Sequence, residues 1–170
     1  MCSRYFLDAD GNVIAYTFRV PVNERIGRRY NIAPTQQAPV VRLGASGARE
    51  AAMLRWGLVP PWAKDIAVGN RMINARSDGV DTKPAFRQAL AARRCLVPAT
   101  GFYEWRGAPG RKQPFAISVG DRPVFAFAGL WERWKPREFH DAGFDSASAL
   151  RFASPASKSG PTMRSIAAAR

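Results

Sequence analysis

The sequence predicts a β-rich α+β domain with few helices. Short apolar or alternating runs recur along the chain, separated by Gly, Pro and polar clusters, and such runs read as strands. Apolar residues at helical spacing stand out in only one segment, residues 84–94. At 170 residues, one domain can bury a proper core without disulfide staples.

Residues 2–7 read as an opening strand, and residues 12–19 (NVIAYTFR) as a second. A polar, basic connector follows at 23–29. Residues 30–36 (YNIAPTQ) are a strand end running into a proline turn. Residues 39–43 (PVVRL) form the next strand, and Gly44 and Gly47 bracket a turn. Residues 51–58 (AAMLRWGL) lead into Val59-Pro60-Pro61-Trp62, which the two prolines hold extended. Residues 84–94 (PAFRQALAARR) make the clearest helix, with proline in the first turn and arginines at the end, where the dipole favours them. Residues 95–99 read as a buried strand, and 101–106 (GFYEWR) follow. Residues 113–119 and 123–130 flank Gly120-Asp121-Arg122 and read as a β-hairpin. Past Pro136 the composition shifts to Ala, Ser, Gly and Arg. This sets a boundary between a domain at 1–136 and a poorly ordered tail at 137–170.

Twenty-six basic residues against thirteen acidic ones leave a net charge of +13. So basic a chain suits a polyanionic partner, most simply nucleic acid. The single histidine, His140, disfavours a His-centred triad and a His-rich metal site. No metal or cofactor is expected. No apolar run approaches the roughly 20 residues of a membrane span, and no secretory signal opens the chain. A cytoplasmic location with both cysteines reduced is therefore expected. Cys95, within an apolar strand, reads as a packed core thiol.

The chemistry concentrates in a few stretches. In Met1-Cys2-Ser3-Arg4-Tyr5, removal of Met1 would leave Cys2 with a free α-amine beside its thiol. That pair can capture an aldehyde as an imine and close it to a thiazolidine. The α-amine titrates near ~8, so a useful fraction is neutral at physiological pH, and Arg4 would favour the thiolate. Glu104 stands between large aromatics in Phe102-Tyr103-Glu104-Trp105. Desolvation there tends to raise a carboxyl pKa and suits it to proton transfer. Asn74 and Arg76 would share one face of a strand. Trp62, after its two prolines, and Trp105 could stack bases, while Trp56 reads as core. Arg28, Arg29, Arg71, Arg87, Arg93 and Arg94 are candidates for a basic groove.

Five stretches, CSRY at 2–5, RYNIAP at 29–34, WGLVPPW at 56–62, INARS at 73–77 and CLVPATGFYEW at 95–105, occur together in this order. They resemble the SRAP family, the SOS-response-associated peptidases also described as abasic-site processing proteins, over residues 1–136. The resemblance implies a mixed-sheet, barrel-like core. It implies a monomer that binds single-stranded DNA and crosslinks to abasic sites through Cys2, with a role in the DNA damage response and lyase chemistry through the imine. It casts Cys2, Asn74 and Glu104 as catalytic, and Arg4, Arg76, Trp62 and Trp105 as DNA-binding. Ser3 replaces the family's glycine. The family's His-x-Arg-Met-Pro motif is absent, and His140 does not stand in for it. A truncated or frame-shifted copy with a degenerate C-terminal part is the expectation, open to test by reading the coding DNA in other frames. Such a copy would lack a central strand and expose a sheet edge. Two alternatives follow, a single-stranded DNA-binding module without the chemistry and a thiol autopeptidase.

Overall fold

A computed structural model describes residues 3–135, 144–151 and 165–166. In chain order its elements are β1 (Tyr5–Leu7), α1 (Gly11–Phe18), β2 (Arg29–Ile32), β3 (Gln37–Leu43), β4 (Arg49–Trp56), a 3-10 helix (Ile66–Arg71), β5 (Asn74–Arg76), α2 (Arg87–Ala92), β6 (Arg94–Ala99), β7 (Gly101–Arg106), β8 (Gln113–Ser118), β9 (Phe125–Trp134), β10 (Phe144–Arg151) and β11 (Ser165–Ile166). The fold is β-rich with few helices, as its alternating runs predict.

The strands form two sheets, ordered β11-β8-β7-β1-β2 and β4-β3-β6-β9-β10-β5. Alternation along β1 buries Tyr5 and Leu7 and turns Phe6 to the other face. Those two residues, with Ile32, Val40, Leu54 and Trp56, fill the main core between the sheets. The chain passes from one sheet to the other at Thr100, between β6 and β7. There the Thr100 amide donates to the Phe6 carbonyl at 2.9 Å and its hydroxyl accepts from the Asp8 amide at 2.9 Å.

The second sheet curls onto itself. β10 pairs antiparallel with β9 from Phe144↔Trp134 to Ala149↔Gly129. It also pairs parallel with β4 at Ser146↔Arg55 and Ala147↔Trp56, then with β5 from Ala149↔Asn74 to Arg151↔Arg76. β4, β3, β6, β9 and β10 thus close a small barrel, and β5 extends from its seam.

Several sequence expectations change here. Residues 12–19 are not a strand. Asp10 caps a helix by accepting from the amides of Asn12 and Val13 at 3.0 and 3.1 Å. Ile14 points into the core at 0% exposure. The helix expected over 84–94 is confined to α2, because Arg93 ends it and Arg94 already belongs to β6. Arg93 instead pairs its guanidinium with the buried Glu132 carboxylate at 2.6 Å, and its carbonyl accepts from the Trp131 amide at 2.9 Å. β8 and β9 do not form a hairpin. β8 pairs with β7 and β9 with β6, so the turn at 120–122 links two sheets. The strand β10 lies inside the segment whose composition reads as a tail. It occupies a place between β9, β4 and β5, whose backbone groups would otherwise face an open edge.

Candidate functional site

β1 carries the N-terminal stretch into the middle of its sheet. Tyr5 lies opposite Phe102 and Phe6 opposite Gly101. The ladder continues past the start of β1, where the Tyr103 amide donates to the Arg4 carbonyl at 2.9 Å. Because the two strands are antiparallel, the chain ahead of Arg4 runs toward the Glu104 end of β7. Cys2 itself lies outside the described residues, as does His140.

The Tyr5 ring connects this start to the other sheet. It meets Trp56 edge-on, with ring centroids 5.4 Å apart. The Trp56 indole N–H in turn donates to the Ile73 carbonyl at 2.8 Å. Trp56 is core, at 6% exposure. It therefore acts as a pillar whose two ends touch β1 and the residue before Asn74. The next residue, Ala75, is fully buried among Leu58 and Leu130. Alternation then places half-buried Asn74 and exposed Arg76 together on the opposite face of β5. The expectation that these two share a face follows from this pleat.

β7 separates two residues that the sequence groups together. Phe102 lies on the core side, packed edge-on to Phe127 at 6.0 Å. Tyr103 lies on the outer side, against Phe6 at 5.3 Å. Alternation puts Glu104 with Phe102 and Trp105 with Tyr103. Glu104 is half-buried, opposite Phe115 of β8. Trp105 is exposed on the outer face, so the structure does not bring it to the face that carries Glu104.

Trp62 stands out from the surface at 57% exposure. Its loop is rigid beneath it, because the Trp134 indole donates to the Ala63 carbonyl at 2.8 Å and Val59 is fully buried. The arginines disperse. Arg4 donates to the Asn31 side-chain carbonyl at 2.9 Å. Arg29 holds the Gln36 side chain at 2.7 Å and also reaches the Gln37 carbonyl. Arg28 lies 3.6 Å from Asp8, and Arg93 is committed to Glu132. Arg71, Arg87 and Arg94 are exposed.

Other residues around the site escape sequence reasoning. Asn31 anchors Arg4; it lies within the RYNIAP stretch, but nothing in the sequence assigns it that role. Tyr30 donates its hydroxyl to Asp8 at 2.8 Å, and that hydrogen bond raises the phenol above its usual 10.0. The Tyr103 hydroxyl reaches the Tyr30 carbonyl at 2.8 Å, tying β7 to β2 across β1. Arg55 bridges to the Asn70 side chain at 2.7 Å, and its partial burial lowers its pKa. Among the described residues, no group of three or more His, Cys, Asp and Glu side chains could hold a metal. Among the same residues, no helix is long and apolar enough to cross a membrane.

A model of the SOS response associated peptidase (SRAP) family matches residues 1–155, reaching beyond residue 136 and taking in the whole of β10. The abasic site processing protein YoqW of Bacillus subtilis (strain 168) is 40% identical over 142 residues, covering 81% of this chain and 63% of YoqW. The abasic site processing protein HMCES of Pongo abelii is 30% identical over 149 residues, covering 66% of this chain and 42% of HMCES. This chain thus spans less than two thirds of the length of either relative. A crystal structure of a protein from Bacteroides thetaiotaomicron superposes with a TM-score of 0.78 at 25% identity, covering 89% of this chain and 68% of that one.

Proposed function

This chain belongs to the SOS response associated peptidase (SRAP) family, and from that premise we propose that it processes abasic sites in DNA by crosslinking to them through Cys2. The observation that carries the reading is the Trp56 pillar. It couples the start of β1 to Ile73 and hence to Asn74, while the β1–β7 ladder runs the N-terminal residues toward Glu104. These contacts support the reading by linking β1 to two stretches remote from it in sequence.

The substrate is the ring-opened abasic sugar, an aldehyde within a single-stranded phosphodiester chain. Once Met1 is removed, the neutral α-amine of Cys2 adds to the aldehyde carbon. Loss of water gives an imine. The Cys2 thiolate then adds to the same carbon, the nitrogen takes a proton, and a thiazolidine results. Aldehyde and aminothiol are consumed, and one water is released. Glu104 accepts and returns the protons of these steps. Asn74 orients the sugar through its amide, which both donates and accepts. Arg4 and Arg76 hold flanking phosphates, and exposed Trp62 offers a stacking surface worth about 1–3 kcal/mol per base. The protein acts as a monomer.

The test is a denaturing gel of purified protein mixed with a single-stranded oligonucleotide carrying one abasic site. A heat-stable shifted band is expected, absent in Cys2→Ala and slowed at least about ten-fold in Glu104→Gln. Mass spectrometry of the intact chain should show Met1 removed. Retardation on a native gel with no covalent band would leave only a DNA-binding module and sink the crosslinking reading.

A further inference from the structure

The turn that joins β2 to β3 holds a threonine where glycine is expected. Ala33, Pro34, Thr35 and Gln36 form a β-turn closed by the Gln36 amide, which donates to the Ala33 carbonyl at 3.2 Å. Pro34 takes the second position and Thr35 the third, and Thr35 adopts φ of +72°. That is the type II pattern, whose third position favours Gly or Asn. A β-branched residue is an outlier in this region and persists only where its surroundings fix it. Here they do. The Thr35 amide donates to the Trp56 carbonyl at 2.8 Å, and the Trp56 amide donates to the Gln36 carbonyl at 2.8 Å. The Gln36 side chain accepts from the Ala33 amide at 3.2 Å and from Arg29 at 2.7 Å. Glycine in place of Thr35 would keep every one of these bonds, because the threonine side chain is in none of them. Thr35 is exposed, and among the described residues its hydroxyl makes no hydrogen bond.

The turn stands at the end of the barrel that carries Asn74. β9 occupies one edge of β10. Along the other edge Ala147 lies beside Trp56 and Ala149 beside Asn74, so β5 continues the line of β4. Asn74 therefore follows Trp56 by two residues, about 7 Å. Thr35 bonds to Trp56 from the β3 side, one strand spacing of about 5 Å off that line. It thus flanks the approach to Asn74.

We propose that the Thr35 hydroxyl donates a hydrogen bond to a phosphate oxygen of the single strand, next to the nucleotide that reacts. The proposal rests on the DNA-reacting function above and adds a binding residue to it. Hydroxyl side chains are regular donors to phosphate, and such contacts fix the register of a strand without reading its sequence. A hydroxyl on a tightly bonded turn is pre-positioned for that contact. This gives the β-branched residue a use that glycine would lack.

The test uses the full chain and a short single strand carrying one tetrahydrofuran site, which has no aldehyde and so reports binding alone. Thr35→Val keeps the side-chain shape and removes the hydroxyl. It should bind about five-fold more weakly, with the urea midpoint of wild type. Thr35→Ser restores the hydroxyl and should bind within about two-fold of wild type. Thr35→Gly should bind as weakly as Thr35→Val, with a urea midpoint at or above that of wild type, because the turn accepts glycine without strain. Methylphosphonates at the two phosphates flanking the site remove the charged acceptor, and on that strand wild type and Thr35→Val should bind alike. Wild-type affinity in Thr35→Val overturns the proposal. So does a loss that persists in full on the methylphosphonate strand, or failure of wild type to bind the tetrahydrofuran strand. A urea midpoint that falls in both Thr35→Val and Thr35→Gly would assign the side chain to the fold and overturn it too. Crosslinking to an abasic strand keeps the two readings apart. Absence of a covalent band from wild type would sink the Cys2 chemistry, while the tetrahydrofuran strand still reports Thr35.

Discussion

Cys95 shows how burial decides what a thiol can do. It lies in β6 at 6% exposure. Burial pushes the thiol up to about 12, and the nearby Arg42 charge pulls only weakly the other way. A thiol held protonated is a poor nucleophile. Iodoacetamide at pH 8 should leave Cys95 unmodified in the native protein and label it once urea unfolds the chain, as read by peptide mass spectrometry. Labelling of Cys95 at the same rate in both states would show that its strand is open. The same shift makes a statement about stability. The unfolded thiol releases its proton near 9.0 and the folded one near 12, so the folded state holds the proton over that window. The contribution is fully present below about 9 and is lost as pH rises toward 12, at up to about 1.4 kcal/mol per pH unit. Denaturant melts from pH 8 to 11 should fall less steeply in Cys95→Ala than in wild type. At this scale the sequence is informative where chemistry is intrinsic to a side chain, as with Cys95 in its apolar run. It misleads where facing decides. Glu104 and Trp105 are adjacent in sequence, yet the pleat sends them to opposite sides of β7.

Elements are settled by partners that no local pattern shows. Residues 12–19 are apolar and β-branched enough to read as a strand, but Asp10 satisfies two amides at their start and makes them a helix. The turn at 120–122 carries good hairpin residues, yet β8 has β7 to pair with and β9 has β6. The link between β4 and β5 depends on a close backbone approach. Gly57 adopts φ of +120°, and a Cβ there would stand 2.4 Å from the Gly69 carbonyl oxygen. Alanine therefore meets both a strained backbone and a clash with main chain. Gly57→Ala should lower stability by about 2–4 kcal/mol, seen as a fall in the urea midpoint. Crosslinking should slow along with it, because the Gly57–Gly69 contact and the Leu58 N–H bond to the Met72 carbonyl at 3.1 Å hold the approach to Asn74. A wild-type midpoint in Gly57→Ala would remove this contact from the account.

At the scale of the molecule, β10 does the most. Residues 144–151 (FDSASALR) are small and polar for a strand that closes a barrel, and their composition suggests a tail. Their backbone nonetheless meets β9, β4 and β5. Native-state hydrogen exchange should find the amides of residues 146–149 protected to a degree comparable with β9, whereas a solvated tail would exchange within the dead time. Exchange at that limit would place residues 144–151 outside the barrel and leave the β9 edge open.

The sequence by itself determined the chemical inventory. It provided a cysteine at position 2, a carboxyl at Glu104, an amide and a guanidinium two residues apart at Asn74 and Arg76, and a large excess of positive charge. It also determined most strands, because period-two alternation is local. Only the tertiary structure decided how these parts meet. It placed Trp56 as the pillar between β1 and Ile73, turned Trp105 away from Glu104, and committed Arg93 to Glu132. The physical reason is that facing, pairing and burial depend on contacts between residues far apart in sequence. Those contacts take their form only when backbone groups seek partners and apolar faces close on one another.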